Sequence, residues 1–212
     1  EIVAVNDLGD IHNLAYLLKY DTAYGMFPGE IEVKEGAMLI NGKEVRFLQE
    51  REPKALPWGA MGVDVVVEST GIFTTYEQSK MHLDAGAKRV VISGPAKGDP
   101  QSVGIAGATV LMGVNEGDLA TNDITSNASC TTNATSPIVA ILKEAVGIEK
   151  AILNTVHAYT ATQALIDGPS KKDLRGGRAA AQNIIPSSTG AAQATTLAHT
   201  DLAGKFDGIS IR

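Results

Sequence analysis

The sequence predicts an α/β fold, because short apolar runs typical of buried strands alternate with segments of helical periodicity. Two of these runs, residues 63–71 and 89–95, end in small residues, and a third, residues 1–7, ends in an acid. Ligands of open α/β sheets bind beyond the carboxyl ends of the strands. We therefore expect a ligand site at these strand ends.

The composition is that of an ordinary globular protein. Of its 212 residues, 44% are hydrophobic and 20% charged, which is enough apolar material for a sizeable core. The apolar runs are far shorter than the ~18 residues of a membrane span, and no secretory signal is visible. A single cysteine excludes an internal disulfide and fits a reducing compartment, so we expect a cytoplasmic protein. The net charge of −6 argues against a nucleic-acid surface.

The first part of the chain predicts a helix followed by a small antiparallel sheet. Apolar residues in the segment 10–19 recur at helical spacing. Residues 30–33 and 37–40 alternate as strands do, and the pair Asn41 and Gly42 then leads into a third strand at 44–48. Asn-Gly between such runs is a strong hairpin signal.

The middle and last parts predict further strands and helices in alternation. We expect strands at 63–71, 89–95, 111–115, 123–125, 151–156 and 207–212, with a helix at 76–85. Another helix is expected over the apolar run 138–146, with Pro137 in its first turn, where a missing N–H costs nothing.

Asp7 is the acid that ends the first strand. In dinucleotide-binding folds, an acid at the end of the second strand binds the ribose hydroxyls. The same carboxylate could instead cap the helix that begins near residue 10. The residues alone leave both interpretations open.

Residues 126–133, SNASCTTN, contain the only cysteine, Cys130. This stretch has no apolar face, and it lies just ahead of a predicted helix. Free N–H groups and the positive dipole end at a helix start favour a thiolate. The alternative is that Cys130 is a small buried hydrophobe.

His157 is the candidate base for this thiol. It ends the predicted strand 151–156 and lies 27 residues after Cys130, so a helix followed by a strand could bring the two together. A structural histidine is the alternative, and the pair alone would also suit a cysteine hydrolase.

Three segments together closely resemble the phosphorylating glyceraldehyde-3-phosphate dehydrogenase family: SNASCTTN at 126–133, HAYTATQ at 157–163 and IPSSTGAA at 185–192. The resemblance continues from Val5 to Arg212. It implies a Rossmann-type NAD-binding domain at 1–129, without its first strand and glycine loop, and part of an α+β catalytic domain at 130–212. Sequence before Glu1 and after Arg212 would complete the family's pattern.

The resemblance also assigns roles to individual residues. Cys130 would be the nucleophile and His157 its activating partner in a glycolytic or gluconeogenic oxidoreductase. The phosphate-binding residues would be Ser129, Thr131, Thr189 and Gly190 at one position, and Thr160, Thr162 and Arg212, with Arg175, at the other. The cofactor-binding residues would be Asp7, Arg51, Thr70, Gly71, Phe73 and Ser93. Without the resemblance, Arg51 would be interpreted as a solvated side chain. Thr70, Gly71, Phe73 and Ser93 would be interpreted as turn residues.

The resemblance further implies NAD as cofactor, glyceraldehyde 3-phosphate and inorganic phosphate as substrates, and no metal. Residues 159–183 would form the family's S-shaped loop, which packs against the cofactor of a neighbouring subunit in a homotetramer. Ala134 stands where many relatives have a second cysteine, and Leu8 with Gly9 departs from some NAD-specific relatives. Erythrose-4-phosphate dehydrogenase shares the cysteine motif, and an inactive or surface-binding piece of the family is a further alternative.

Overall fold

The chain combines helices and strands in the mixed α/β content that the sequence predicts. The computed structural model describes residues 1–170 and 173–212, so Lys171 and Lys172 of the predicted S-shaped loop lie outside the described residues. The strands are β1 (Ala4–Asn6), β2 (Tyr20–Asp21), β3 (Gly25–Met26), β4 (Ile31–Lys34), β5 (Ala37–Ile40), β6 (Lys43–Leu48), β7 (Val65–Glu68), β8 (Arg89–Ile92), β9 (Gly107–Thr109), β10 (Ile124–Ser126), β11 (Ala151–Val156), β12 (Pro186–Ser187) and β13 (Phe206–Ile211). The helices are α1 (Ile11–Lys19), α2 (Tyr76–Asp84), α3 (Cys130–Ala145) and α4 (Ala191–Ala198).

The chain divides into two units. The first comprises Glu1–Val66 and Met81–Lys88, and the second comprises Val67–Lys80 and Arg89–Arg212. The division passes inside β7 and inside α2. The proposed domain boundary after Ser129 stays a prediction.

The first unit is built on a sheet of strand order β1–β6–β5–β4. β1 runs parallel to β6, and β5 is antiparallel to both of its neighbours. The predicted hairpin is confirmed: Asn41 and Gly42 join β5 to β6 with φ angles of 52° and 77°. The two-residue hairpin turn whose twist matches that of the strands requires a positive φ at both central residues. Asn and Gly adopt a positive φ with less strain than other residues do.

The core of the first unit surrounds the only tryptophan, Trp58. Leu56, Val63, Val66 and Ala87 pack with it. Its indole N–H donates to Nδ1 of the buried His82 at 3.1 Å, so the apolar ring is buried and its one polar atom is satisfied.

The second unit contains two sheets. One has the order β7–β8–β10–β9, and within it β10 runs parallel to both β8 and β9. The other has the order β11–β13–β12, in which β11 and β13 are parallel. Helices α3 and α4 pack on each other, and α4 packs on β13 over a core of Val139, Ala192, Leu202 and Phe206.

The predicted strand at 111–115 and the predicted position of Pro137 are wrong. Residues 111–115 form a turn rather than a strand, because the Asn115 side chain accepts from the Leu111 N–H and donates to the Thr109 carbonyl, at 2.9 Å each. Pro137 lies well inside α3 rather than in its first turn. The helix begins at Cys130 because the Ser129 hydroxyl accepts from the Thr132 N–H at 3.1 Å, a regular N-cap.

None of the helices within residues 1–170 and 173–212 has both the length and the apolar character that crossing a bilayer requires.

Gly86 should tolerate no side chain. Its φ is +100°, and a Cβ there would lie 2.5 Å from Cα and 2.7 Å from the nitrogen of Gly59. We expect Gly86→Ala to lower the free energy of unfolding by about 2–5 kcal/mol, because left-handed strain adds to a backbone clash. Chemical denaturation followed by circular dichroism measures this.

Gly36→Ala is the matched control for Gly86→Ala. Gly36 also has a positive φ, +71°, but nothing lies within 4 Å of a Cβ built there. Gly36→Ala should therefore lower the free energy of unfolding only by the conformational strain, about 1–2 kcal/mol. Equal losses in the two variants would contradict the close approach of Gly59 and Gly86.

Candidate active site

The cysteine thiol lies at the start of a helix. Strand β10 ends at Ser126, and after a three-residue connection α3 begins at Cys130, capped by Ser129. The Cys130 side chain is exposed. The free N–H groups and the positive dipole end of the first helical turn therefore surround a thiol that reagents can reach, as the sequence predicts.

His157 lies directly after β11 and faces this thiol. Its Nε2 is 3.3 Å from the Cys130 Sγ, and its Nδ1 donates to the Ala158 carbonyl oxygen at 2.6 Å. The carbonyl fixes the ring so that Nε2, not Nδ1, is directed at the sulfur. The predicted pairing of cysteine and histidine is thus present in the fold.

The two side chains shift each other's pKa values in opposite directions. The hydrogen bond from His157 lowers the pKa of Cys130 below its ordinary value, assisted by the N–H and hydroxyl of Thr131. The Ala158 carbonyl, followed by the Cys130 sulfur, raises the pKa of His157, while the positive charge of Arg212 opposes that rise. Both shifts favour a thiolate beside an imidazolium.

A cavity of about 220 Å³ opens beside the pair. It contains all four residues predicted for one phosphate position, together with Arg212 from the other. The lining residues are Pro95, Ser129, Cys130, Thr131, His157, Ser188, Thr189, Gly190, Ala191, Ala194, Ser210 and Arg212. Hydroxyls, the N–H groups at the start of α4 and a guanidinium thus converge on one space, which suits an anionic ligand.

Arg212 also joins the two threonines predicted with it. Its Nη1 donates to the Thr160 hydroxyl at 2.9 Å and the Thr162 hydroxyl at 3.3 Å, and the two hydroxyls are 2.9 Å apart. The buried Nε of Arg212 has no hydrogen-bond partner among the described residues. A cationic group with a spare donor and two hydroxyls forms a second polar cluster next to the cavity.

Arg175, by contrast, is not among the residues that line the described cavity. Its guanidinium donates to both carboxylate oxygens of Asp173, at 2.7–3.1 Å, and this pairing lowers the pKa of Asp173. A phosphate role for Arg175 stays a prediction.

Asp7 and Arg51, the two cofactor candidates of the first unit, are both exposed. Asp7 follows β1 directly, and its Oδ1 accepts from the Gly9 N–H at 2.7 Å. It does not cap α1, because Asp10 does so by accepting from the Asn13 N–H. Of the two interpretations of Asp7, the helix cap is therefore excluded.

The four cofactor candidates of the second unit follow two strands of the β7–β8–β10–β9 sheet. Thr70, Gly71 and Phe73 come after β7, and Ser93 comes after β8 with its N–H donating to the Glu68 carbonyl at 2.9 Å. The hydroxyl of Thr70 donates to the buried carboxylate of Glu68. Gly71 adopts a φ of 71°, a backbone conformation that favours glycine.

Several residues of the site were not expected from the sequence. Pro95, Ser188 and Ser210 line the cavity, and the Ala158 carbonyl orients His157. A serine or a backbone carbonyl has no sequence signature of its own. Only the inward alternation of Ser210 on β13 could have indicated its position. Among residues 1–170 and 173–212, no group of three or more histidine, cysteine, aspartate or glutamate side chains converges to hold a metal ion.

We expect Cys130 to alkylate as a low-pKa thiol. The rate of reaction with iodoacetamide should rise with a midpoint below the ordinary cysteine value of about 8.5, because the thiolate is the nucleophile. In His157→Asn the midpoint should return toward that value. The reaction reports Cys130 alone, since the chain has one cysteine.

His12→Asn is the matched control, because His12 is exposed on α1 in the first unit. It should leave the alkylation profile unchanged. An ordinary midpoint in the unsubstituted protein, or no change on His157→Asn, would contradict the activation of Cys130 by His157.

Comparison with known proteins identifies the family. Residues 1–76 match the sequence profile of the glyceraldehyde 3-phosphate dehydrogenase NAD binding domain, and residues 129–212 match that of the C-terminal domain of the same family. Both matches cover segments that carry the candidate site residues.

Individual relatives agree with these matches. A glyceraldehyde-3-phosphate dehydrogenase of Haemophilus influenzae is 50% identical over the whole chain, which spans 60% of that protein's length. One of Pseudescherichia vulneris is also 50% identical, with 70% of its length spanned. One of Clostridium acetobutylicum is 51% identical over 98% of the chain, which spans 61% of that protein. The chain therefore belongs to the glyceraldehyde-3-phosphate dehydrogenase family, whose amino-terminal domain is an NAD-binding domain.

Proposed function

We propose that this protein is an NAD-dependent dehydrogenase that oxidises and phosphorylates glyceraldehyde 3-phosphate to 1,3-bisphosphoglycerate. The observation that carries the proposal is the 3.3 Å contact between Cys130 Sγ and His157 Nε2 at the mouth of a hydroxyl-lined cavity. Family membership supplies the cofactor and the aldehyde, because the matched profile and the relatives carry those names.

The first step follows from the protonation of the pair. The Cys130 thiolate attacks the aldehyde carbon, forming a C–S bond, while the His157 Nε2–H gives its proton to the developing oxyanion. The backbone N–H of Cys130, at the start of α3, is a further donor to that oxygen. The product is a neutral hemithioacetal beside a neutral imidazole.

The second half of the reaction reverses the role of the histidine. Neutral His157 removes the hydroxyl proton of the hemithioacetal as the carbon loses hydride. NAD, which Asp7, Arg51, Thr70, Gly71, Phe73 and Ser93 would hold, would supply the hydride acceptor when bound. Inorganic phosphate then attacks the resulting thioester, the C–S bond breaks, and the Cys130 thiolate leaves. Because His157 is again protonated at this stage, it stabilises the departing thiolate.

The reaction needs two anion positions, one for the substrate phosphate and one for the attacking phosphate. We assign Arg212 with Thr160 and Thr162 to one of them, since the three side chains already form a hydrogen-bonded cluster. The other consists of Ser129, Thr131, Thr189 and Gly190, all of which line the cavity. Arg212 borders both, so its charge acts on either anion.

Assembly and location complete the proposal. The loop at residues 159–183 suits an inter-subunit contact in a homotetramer, since it is largely exposed and has only short helical turns among its described residues. We place the protein in the cytoplasm because its single cysteine must stay reduced to act. A monomeric mass by light scattering would contradict the tetramer.

Turnover should depend on both members of the pair. Cys130→Ser should abolish NAD reduction with glyceraldehyde 3-phosphate and phosphate, because a serine hydroxyl is not ionised near neutral pH. His157→Asn should slow it by roughly 10²–10⁴-fold, the usual contribution of a general acid–base group. Near-normal turnover in Cys130→Ser would exclude the thioester route. Faster turnover with erythrose 4-phosphate than with glyceraldehyde 3-phosphate would identify the former as the substrate.

Arg212 should favour an aldehyde that carries a phosphate group over one that does not. We expect Arg212→Met to reduce kcat/KM for glyceraldehyde 3-phosphate by roughly 10–100-fold, as the loss of a charge-assisted hydrogen bond implies. The same ratio for glyceraldehyde, which has no phosphate, should fall much less. Arg46→Met, at an exposed position on β6, is the matched control and should change neither. Equal losses for both aldehydes would contradict a phosphate role.

A further inference from the structure

The connection that leads into the nucleophile contains an unusual backbone conformation. Ala128, two residues before Cys130, has a φ of 54° and is 2% exposed. Alanine avoids this left-handed region because its Cβ crowds the following carbonyl. Such a conformation persists only when the surrounding structure holds it.

One of the groups that hold it is the hydroxyl of Ser126, a fully buried residue at the end of β10. This hydroxyl accepts from the Ala128 N–H at 3.1 Å and the Ala96 N–H at 3.0 Å, and it donates to the Gly94 carbonyl at 2.8 Å. A single buried oxygen therefore ties the connection before Cys130 to the loop after β8.

The other group is the side-chain amide of Asn133, one turn into α3. Its Nδ2 donates to the Asn127 carbonyl at 2.6 Å and to the Ser129 carbonyl at 2.9 Å. The first carbonyl belongs to the peptide between Asn127 and Ala128, and the second belongs to the peptide between Ser129 and Cys130. The peptide between Asn127 and Ala128 is consequently held at its oxygen by Asn133 and at its N–H by Ser126.

We propose that Ser126 and Asn133 are positioning residues for the nucleophile. By holding Ala128 in the left-handed region they direct the chain through an extended Ser129 into α3, so that Cys130 is its first residue and Sγ meets His157 Nε2. This inference rests on the proposed role of Cys130 as an activated nucleophile. Neither residue touches the thiol, and both act through the backbone.

The consequence of losing Asn133 follows from the bonds it makes. Without the amide, the Asn127 and Ser129 carbonyls lose their shared side-chain donor, and of the two groups only the Ser126 hydroxyl still opposes the rotation of Ala128 toward an ordinary φ. The sulfur would then no longer be held against the imidazole, and the pKa of Cys130 would rise toward its ordinary value.

The test compares Asn133→Ala and Asn133→Asp by the pH dependence of Cys130 alkylation with iodoacetamide. We expect the midpoint to rise by roughly 0.5–1 pH unit in Asn133→Ala, the equivalent of about one hydrogen bond. Asn133→Asp should show at least this rise, because its carboxylate keeps the shape of the amide but lacks its donors and adds negative charge near the thiolate. In Asn133→Ala, which adds no charge, a merely structural role would lower stability without moving this midpoint.

Asn122→Ala is the matched control. The Asn122 side chain also donates to a backbone carbonyl four residues earlier, that of Asp118 at 2.7 Å, but it lies before β10, at the opposite end of that strand from Cys130. Its removal should leave the alkylation midpoint unchanged, which separates the loss of any asparagine bond from the loss of this one.

A rescue experiment tests the role of Ala128 itself. Glycine adopts a φ of 54° without strain, so Ala128→Gly removes the conformational cost that Asn133 offsets. We expect Ala128→Gly combined with Asn133→Ala to recover half or more of the shift in midpoint. If Asn133→Ala fails to fold by circular dichroism, the isosteric Asn133→Asp is compared with and without Ala128→Gly.

The outcomes separate the two proposals. A normal midpoint in the unsubstituted protein would overturn the activated nucleophile and with it the proposed function. A low midpoint that does not move in either Asn133 variant would overturn only the positioning role. A shift that Ala128→Gly does not rescue would exclude the left-handed conformation as the means by which Asn133 acts.

Discussion

The contact between Cys130 and His157 is the interaction on which the site depends. At neutral pH a thiol is a weak nucleophile and a neutral imidazole is a weak acid. Transfer of the thiol proton to the imidazole makes the first a thiolate nucleophile and the second an imidazolium acid. Their 3.3 Å separation requires that two segments 27 residues apart in the chain end at the same place. The remaining groups of the site supply what the pair itself lacks: an orienting carbonyl at Ala158, hydroxyls for anions and the charge of Arg212.

The second unit satisfies this requirement by directing strand ends of two sheets at one cavity. Cys130 follows β10 of the first sheet, whereas His157 follows β11 and Arg212 follows β13 of the second sheet, in which β11 and β13 are parallel neighbours. Parallel pairing places the carboxyl ends of β11 and β13 side by side, and α3 spans the distance from Cys130 to β11. The geometry of the site is thus a consequence of sheet topology, with Ala128 as the point where backbone strain is accepted.

Much of this could be predicted from the residues. The alternation around Asn41 and Gly42 predicted a hairpin, because the turn type demands those two residues, and the strand before His157 was visible as an apolar run. Cys130 was a candidate nucleophile because it is the sole cysteine and lies in a polar stretch, but the residues alone also allowed a small buried hydrophobe, and the role itself came from the family resemblance. The strand predicted at 111–115 failed because an asparagine side chain there satisfies the backbone groups that a strand ladder would use. Ala158 and Ser126 could not be predicted, since a carbonyl and a buried hydroxyl acquire their roles only from neighbours that the fold brings near.

Titration of the cysteine by NMR tests whether His157 holds Cys130 as a thiolate. With ¹³Cβ-labelled cysteine the spectrum contains one cysteine signal, because the chain has one such residue. We expect its chemical shift to change with an inflection below the ordinary value of about 8.5, and a second, smaller inflection at higher pH to report the loss of the His157 proton. A single inflection at the ordinary value would contradict the activation of Cys130 by His157.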